Sequence, residues 1–353
     1  YLLGGDGPFT SDDHDGMKQL TSPSYSAREL VKWFFDMPYN NPDKPLASIA
    51  LLISERNVPP FTHPKATNAS AVGPATMANA SAAINEWKDR GDNDPNNLML
   101  FYFCGHGIAQ GPEVSLLCSD YGADKNAPLN AAIHFTAFHQ GMDGCKAAYQ
   151  CYFIDACRTS SDTLIESYKF AGLPIIQSKG DARRNLPPRQ APVFYSTLSG
   201  EAAYGRPNLP TFYTESLING LNGTGASDRD GSWCIYTTEL NTAVGTAVSS
   251  MGRQVQYPTT GNLTSFVLHH LKSSPIVPVT IGCNPKTNNQ SWTMLYRQGG
   301  IELDRRPPAL EDWQTKVATG SYQFIALDAG DEIGTNPPER YVGPPYRVIR
   351  IPS

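Results

Sequence analysis

Five short apolar runs dominate the first part of the chain. They are "YLLGG" (1–5), "ASIALLIS" (47–54), "NLMLFYFCGHG" (97–107), "QCYFIDAC" (150–157) and "APVFYSTLSG" (191–200), each of strand length and nearly unbroken by polar residues. Segments with helical spacing of apolar residues lie among and after them. These are "SYSARELVKWFFDM" (24–37), "ATMANASAAINEWKDRG" (75–91), "IHFTAFHQGMDGC" (133–145), "TFYTESLINGLNG" (211–223) and "YTTELNTAVGTAVSSMG" (236–252). Near-continuous apolar strands alternating with helices predict an α/β fold, a mostly parallel sheet with helices on both faces. "TSFVLHHLK" (264–272) reads as a last strand.

The texture changes after "SSPIVP" (273–278). Helical period disappears, Pro and Gly become frequent, and short alternating pieces follow: "WTMLYR", "SYQFIALD" and "YRVIRI". This pattern predicts a small β-rich module, a sandwich, over 276–353, joined by a Ser/Pro linker to a domain over 1–272.

Composition narrows the function class. The 353 residues carry a net charge of −5, which argues against a nucleic-acid groove. No run of 18 apolar residues occurs, so no membrane span is expected. The opening "YLLGGDG" lacks an initiator Met, a basic leader and a cleavage-site pattern, which points to a natural start upstream of Tyr1. The seven cysteines are an odd set scattered through apolar runs, as expected of reduced buried thiols. Asn-x-Ser/Thr triplets at Asn68, Asn79, Asn222, Asn262 and Asn289 matter only on a secretory route, and a cytoplasmic location is expected.

Two strand ends carry the candidate chemistry. "FYFCGHG" delivers His106 between Gly105 and Gly107, and "CYFIDAC" delivers Cys157. Cys157 follows His106 by 51 residues, about one strand–helix–strand crossover. Ligands of parallel sheets meet the carboxyl ends of the strands, and a thiol beside an imidazole is an activatable nucleophile. Taken singly, a Cys is more often core filler than nucleophile, and a lone His is similarly bland. A zinc site from Cys104, His106, Cys145 and Cys151 fails on spacing, since no CxxC or HExxH pair is present. His14 with Asp12, Asp13 and Asp15 forms an acidic loop without the spacing of an EF-hand.

The pair "FYFCGHG" and "CYFIDACRT", with the spacing of about 50 residues, resembles the caspase-like cysteine peptidases, the clan of caspases, metacaspases and their prokaryotic relatives. The resemblance runs from residue 1 to about 272 and includes "VFYSTLSGEAAYGRPNLPTFYTESLINGL"; the module over 276–353 lies outside it. It implies peptide-bond hydrolysis through an acyl-enzyme, with Cys157 as nucleophile and His106 as acid–base. It also implies an oxyanion hole from the N–H groups of Gly107 and Cys157 and a protein substrate, with neither metal nor cofactor.

In metacaspase-like members the acid two before the nucleophile, here Asp155, lines the primary pocket and selects Arg or Lys. The second pocket acid of such members is replaced by Ser26 in "LTSPSYSA", and Asp6, Asp12, Asp13 or Asp15 is a candidate substitute. Residues 159–190 match the long segment that separates the two parts of the catalytic domain. Arg183, Arg184 and Arg189 within it are candidate self-cleavage residues. Arg158 is placed to support a thiolate or to pair with a surface acid. Family analogy adds regulated cell death or defence, acting on a partner protein such as a pore-forming one. An inert scaffold, or an active member with non-basic specificity, is the alternative, and the oligomeric state is left open.

Overall fold

The structure is a computed structural model. It describes residues 17–352 except 18, 37–38, 56–58, 65–71, 159–171, 178–185, 199–202, 204, 252–255 and 257. Asp6 and the acidic loop at 12–15, together with Arg183 and Arg184, therefore lie outside the described residues.

Two helices precede the sheet, α1 (Ser22–Asp36) and α2 (Met77–Gly91). Thr76 caps α2, its side chain accepting from the Asn79 N–H. The sheet has the order β1-β5-β6-β9, built from β1 (Leu98–Gly105), β5 (Tyr149–Ala156), β6 (Val193–Tyr195) and β9 (Thr259–Gly261). β1, β5 and β6 run parallel, and β9 is antiparallel to β6. Between β1 and β5 the chain forms a second small sheet, β2 (Gly107–Gln110), β3 (Glu113–Leu117) and β4 (Ala132–His134), followed by α3 (Phe135–Gly141).

Alternation along β5 sorts its side chains onto the two covered faces. Tyr152 and Ile154 enter a core with Met77, Ala80 and Ile84 of α2 and Phe135 and Phe138 of α3. Asp155 turns to the opposite face, toward α1 and the helix α4 (Phe212–Asn219). The expected α/β layering, helices on both faces of a mostly parallel sheet, is what the chain forms.

Some predicted elements differ. Residues 47–54 form no strand; among the described residues they contribute an isolated bridge, Leu52 to Gly73, rather than a run of backbone pairs. Residues 133–145 are not one helix: Ile133 and His134 pair with Leu116 and Ser115 before α3 begins. The β2–β3 hairpin itself turns at Gly111, φ +58°, followed by Pro112. Gly111-Pro112 was a readable turn signal. Residues 1–5 lie outside the described residues.

The chain separates into two compact units, residues 1–218 with 247–268 and residues 219–246 with 269–353. This differs from a cut at 273–276, because residues 219–246 group with the C-terminal part. The second unit holds the antiparallel pair β7 (Ala226–Asp228) and β8 (Trp233–Tyr236). The helix α5 (Thr237–Met251) and the strand β10 (Val267–His270) carry the chain between units. Beyond them lies the expected sandwich. One sheet has β11 (Ile276–Asn284) between β14 (Trp313–Ala318) and β17 (Arg347–Pro352). The other has the order β13-β12-β15-β16, from β12 (Thr293–Gln298), β13 (Ile301–Arg306), β15 (Gly320–Asp328) and β16 (Asp331–Val342). Val279, Ile281, Met294, Phe324 and Ile351 fill the space between the sheets. No helix among the described residues is long and apolar enough to cross a membrane.

Arg189 ties the segment before β6 to the sheet. Its guanidinium donates to Gln150 Oε1 at 2.9 Å, to Asp143 Oδ1 at 2.7 Å and to the Tyr152 hydroxyl at 3.3 Å. The next residue, Gln190, continues the tie by exchanging backbone hydrogen bonds with Ala148 and Gln150. A self-cut after Arg189 would have to extract a side chain that is only 8% exposed. Arg189→Met is expected to cost about 2–3 kcal/mol in urea denaturation, since hydrogen bonds to charged groups contribute about 1.5–3, and Arg189→Lys is expected to recover less than half of it.

Candidate active site

Every partner pair of the β1–β5 ladder differs by 51 residues, from Leu98 with Tyr149 to Gly105 with Ala156. The ladder ends there, and His106 and Cys157 are the residues that directly follow on the two strands. Neighbouring strands lie about 4.8 Å apart, so continuing the offset by one residue would set the imidazole and the thiol at the carboxyl ends of two adjacent parallel strands. Two residues back along each strand, and so on the same face, stand Cys104 and Asp155, which are paired in the ladder. The ladder thus places a Cys–Asp pair, its Asp155 buried, two residues before the His and the Cys at the strand ends.

The backbone around this rung is arranged with equal economy. The Leu117 N–H donates to the His106 carbonyl at 3.0 Å, so His106 and Leu117 are a hydrogen-bonded antiparallel pair. Gly107 and Leu116 are then the non-bonded pair, and the Gly107 N–H points away from β3. A Cβ on Gly107 would lie 2.6 Å from the Cys157 carbonyl oxygen and 3.0 Å from Ala156 Cβ. Glycine is required here for close approach, not for an unusual φ.

Cys157 itself is partly buried. Its Sγ accepts from the Ala203 N–H at 3.3 Å and lies 3.7 Å from the Ala203 carbonyl. Burial pushes the thiol pKa up, the Ala203 N–H pulls it down, and the charge on Asp155 pushes it up again. A thiol held protonated in this way needs a neighbouring base to become a nucleophile.

Asp155 is 3% exposed and sits in a hydrogen-bonded chain. Its carboxylate accepts from the hydroxyls of Thr211 and Thr214, the latter at 2.7 Å. With that proton committed, the Tyr102 hydroxyl at 2.7 Å is the donor to Thr214 Oγ1. Thr211 also caps α4, its Oγ1 accepting from the Thr214 N–H at 3.0 Å, and its own N–H donates to Ser26 Oγ at 3.0 Å. Burial raises the Asp155 pKa to about 6, against the lowering effect of the threonine hydroxyls and the Cys104 thiol. Ser26 and Asp155, named together from the sequence, are bridged by Thr211. Both are buried rather than lining an open surface.

The caspase-domain family model (peptidase C14) matches residues 16–267. The chain belongs to the caspase-domain peptidase family. The uncharacterized protein y4kE of Sinorhizobium fredii is 29% identical to it over 307 residues, 84% of each chain. The crystal structure of caspase-1 from Spodoptera frugiperda covers 71% of this chain and 81% of its own, with a TM-score of 0.40 at 13% identity.

Within this caspase-domain chain, Arg158 lies 4.2 Å over the Tyr195 ring rather than on a surface acid. Among the described residues no group of three His, Cys, Asp or Glu side chains is arranged to hold a metal ion. Sequence reasoning missed Thr211 and Thr214, yet a Thr before a helix, with a second Thr three residues on, is a readable cap signal. It also missed Ala203, which only the tertiary path brings to the thiol.

The raised Asp155 pKa makes a stability prediction with a definite sign. Below about pH 4 the group is protonated folded or unfolded. Between the ordinary 3.8 and about 6 the folded chain alone holds the proton, so unfolding releases it and stability falls as pH rises. Above 6 the deficit is constant. The stability of wild type relative to Asp155→Asn is therefore expected to drop by about 2–3 kcal/mol between pH 4 and pH 7, read by urea denaturation of both proteins. A flat difference would show that Asp155 is not a desolvated acid.

Proposed function

We propose that this chain is an endopeptidase that cuts protein substrates through a Cys157–His106 dyad, with preference for Arg or Lys before the cut. The observation that supports the reading is the constant offset of the β1–β5 ladder, whose last pair, Gly105 with Ala156, directly precedes His106 and Cys157. His106 removes the thiol proton, and the Cys157 sulfur attacks the scissile carbonyl carbon. The oxyanion accepts from the N–H groups of Gly107 and Cys157. Collapse breaks the C–N bond, His106 returns the proton to the leaving amine, and water then hydrolyses the thioester.

Support for basic specificity comes from Asp155, two residues before the nucleophile and ionised above about pH 6. A desolvated carboxylate attracts a guanidinium or ammonium and repels an acidic side chain. Arg183 and Arg184 would then be natural self-cleavage residues. Cys157 and His106 are both present, which favours an enzyme over an inert scaffold.

A peptide-library cleavage profile beside a Cys157→Ala control tests this. Cuts after Arg or Lys are expected in wild type and absent from the control, with intact mass showing a self-cut after Arg183 or Arg184. For the best peptide, kcat/KM is expected to rise as pH passes about 6, as Asp155 ionises. Cuts only after Asp or small residues would remove the pocket role while leaving the peptidase. Gly107→Ala keeps the N–H, but its Cβ would meet the Cys157 carbonyl oxygen at 2.6 Å, so it should displace the donor and lower kcat, by as much as the roughly 100-fold that outright loss of one oxyanion donor costs. Equal cleavage by wild type and Cys157→Ala would end the dyad reading.

A further inference from the structure

The peptide joining Ala156 to Cys157 has two ends that matter. Its N–H is the Cys157 donor of the proposed oxyanion hole, and its carbonyl belongs to the last residue of β5. Along β5 the backbone groups alternate in direction. The Tyr152 N–H donates to Pro192 O at 3.0 Å, and Ile154 O accepts from the Ser196 N–H at 2.9 Å. Even-numbered residues therefore face β6 and odd-numbered residues face β1, so the Ala156 carbonyl faces the β6 side. There the Ser196 hydroxyl donates to it at 3.1 Å.

A trans peptide is planar, with C=O and N–H pointing in opposite directions. Holding the Ala156 carbonyl toward β6 therefore aims the Cys157 N–H toward β1, the side on which Gly107 approaches the Cys157 carbonyl. A donor on the carbonyl also polarises the peptide and strengthens its N–H as a donor. Ser196 is itself fixed. Its N–H is committed to Ile154, and its carbonyl accepts from Gln256 Nε2 at 2.8 Å. Ser196 is fully buried and Gln256 is 4% exposed, so water does not compete for either contact. Nothing in this chain of bonds touches a substrate; it acts through one peptide plane.

We propose that Ser196, braced by Gln256, is a positioning residue that orients the Ala156–Cys157 peptide as an oxyanion donor. The proposal rests on the Cys157–His106 reading. Its signature is selective. Chemistry that builds charge on a carbonyl oxygen needs the clamp, while simple displacement at Cys157 does not.

The experiment compares wild type, Ser196→Ala and Ser196→Thr on the peptide that wild type cleaves fastest. Ser196→Ala is expected to lower kcat about tenfold, less than outright loss of a donor, with KM within twofold. Affinity for a peptidyl aldehyde, whose carbonyl carbon bonds to the Cys157 sulfur while its oxygen takes up the charge, is expected to fall by the same factor. Alkylation of Cys157 by iodoacetamide, read by mass spectrometry, should keep its rate, and Ser196→Thr should restore most of kcat. If the alanine variant does not fold, Ser196→Thr against Ser196→Val offers the same comparison, since the two differ by one hydroxyl. Unchanged kcat in the folded hydroxyl-free variant would overturn the proposal. So would parallel losses in kcat and alkylation, which would mean a general disturbance of Cys157. Absence of any Cys157-dependent cleavage in wild type would instead overturn the dyad, and the clamp with it.

Discussion

The register between β1 and β5 is the constraint on which the rest depends. One offset, held over eight rungs, sets which residues of two distant segments meet. Because side chains alternate, a slip by one residue would exchange the faces of β5. Tyr152 and Ile154 would leave the aromatic core, and Asp155 would enter it. The packing of that core therefore holds the register, which ends at Gly105 with Ala156, the residues just before His106 and Cys157. Stability and the candidate chemistry are coupled through the same ladder.

Asp155 shows the cost of building such a site. A carboxyl with almost no exposure keeps only two hydroxyls and a thiol for company, and its pKa rises to about 6. The threonines that solvate it are not spare polar groups. Thr211 simultaneously caps α4 and binds Ser26, so the helix start, the buried acid and α1 are one hydrogen-bonded unit. A destabilised charge held among structural groups is typical of sites where function overrides local stability. The same reasoning applies to Arg189. Its charge is used internally, against Gln150, Asp143 and Tyr152.

Family membership accounts for the fold and the peptidase class, whereas the proposed dyad and specificity are argued from local geometry. Ser196 illustrates the difference. As a residue it is an unremarkable serine at a strand end. As a contact it holds the carbonyl of the Ala156–Cys157 peptide, whose N–H is one of the two donors in the proposed mechanism.

Much was legible in the chain itself. Unbroken apolar runs such as "CYFIDA" mark strands buried on both faces, and the loss of helical period after 273 marks the β-rich module, because periodicity is a local property of burial. His106 and Cys157 stood out because each ends such a run. Tertiary structure decided what depends on partners distant in sequence. Residues 47–54 had the look of a strand but find a single bridging contact, and Ile133 and His134 pair with β3 although their surroundings are helical in pattern. Backbone pairing requires a second backbone, which no local pattern supplies. The links from Thr211 to Asp155 and Ser26, from Ala203 to the thiol, and from Gln256 through Ser196 to Ala156 likewise join segments tens to nearly two hundred residues apart. The sequence determined which residues stand at the strand ends. Only the folded chain decided which of them touch, since a hydrogen bond is set by distance in space and not along the chain.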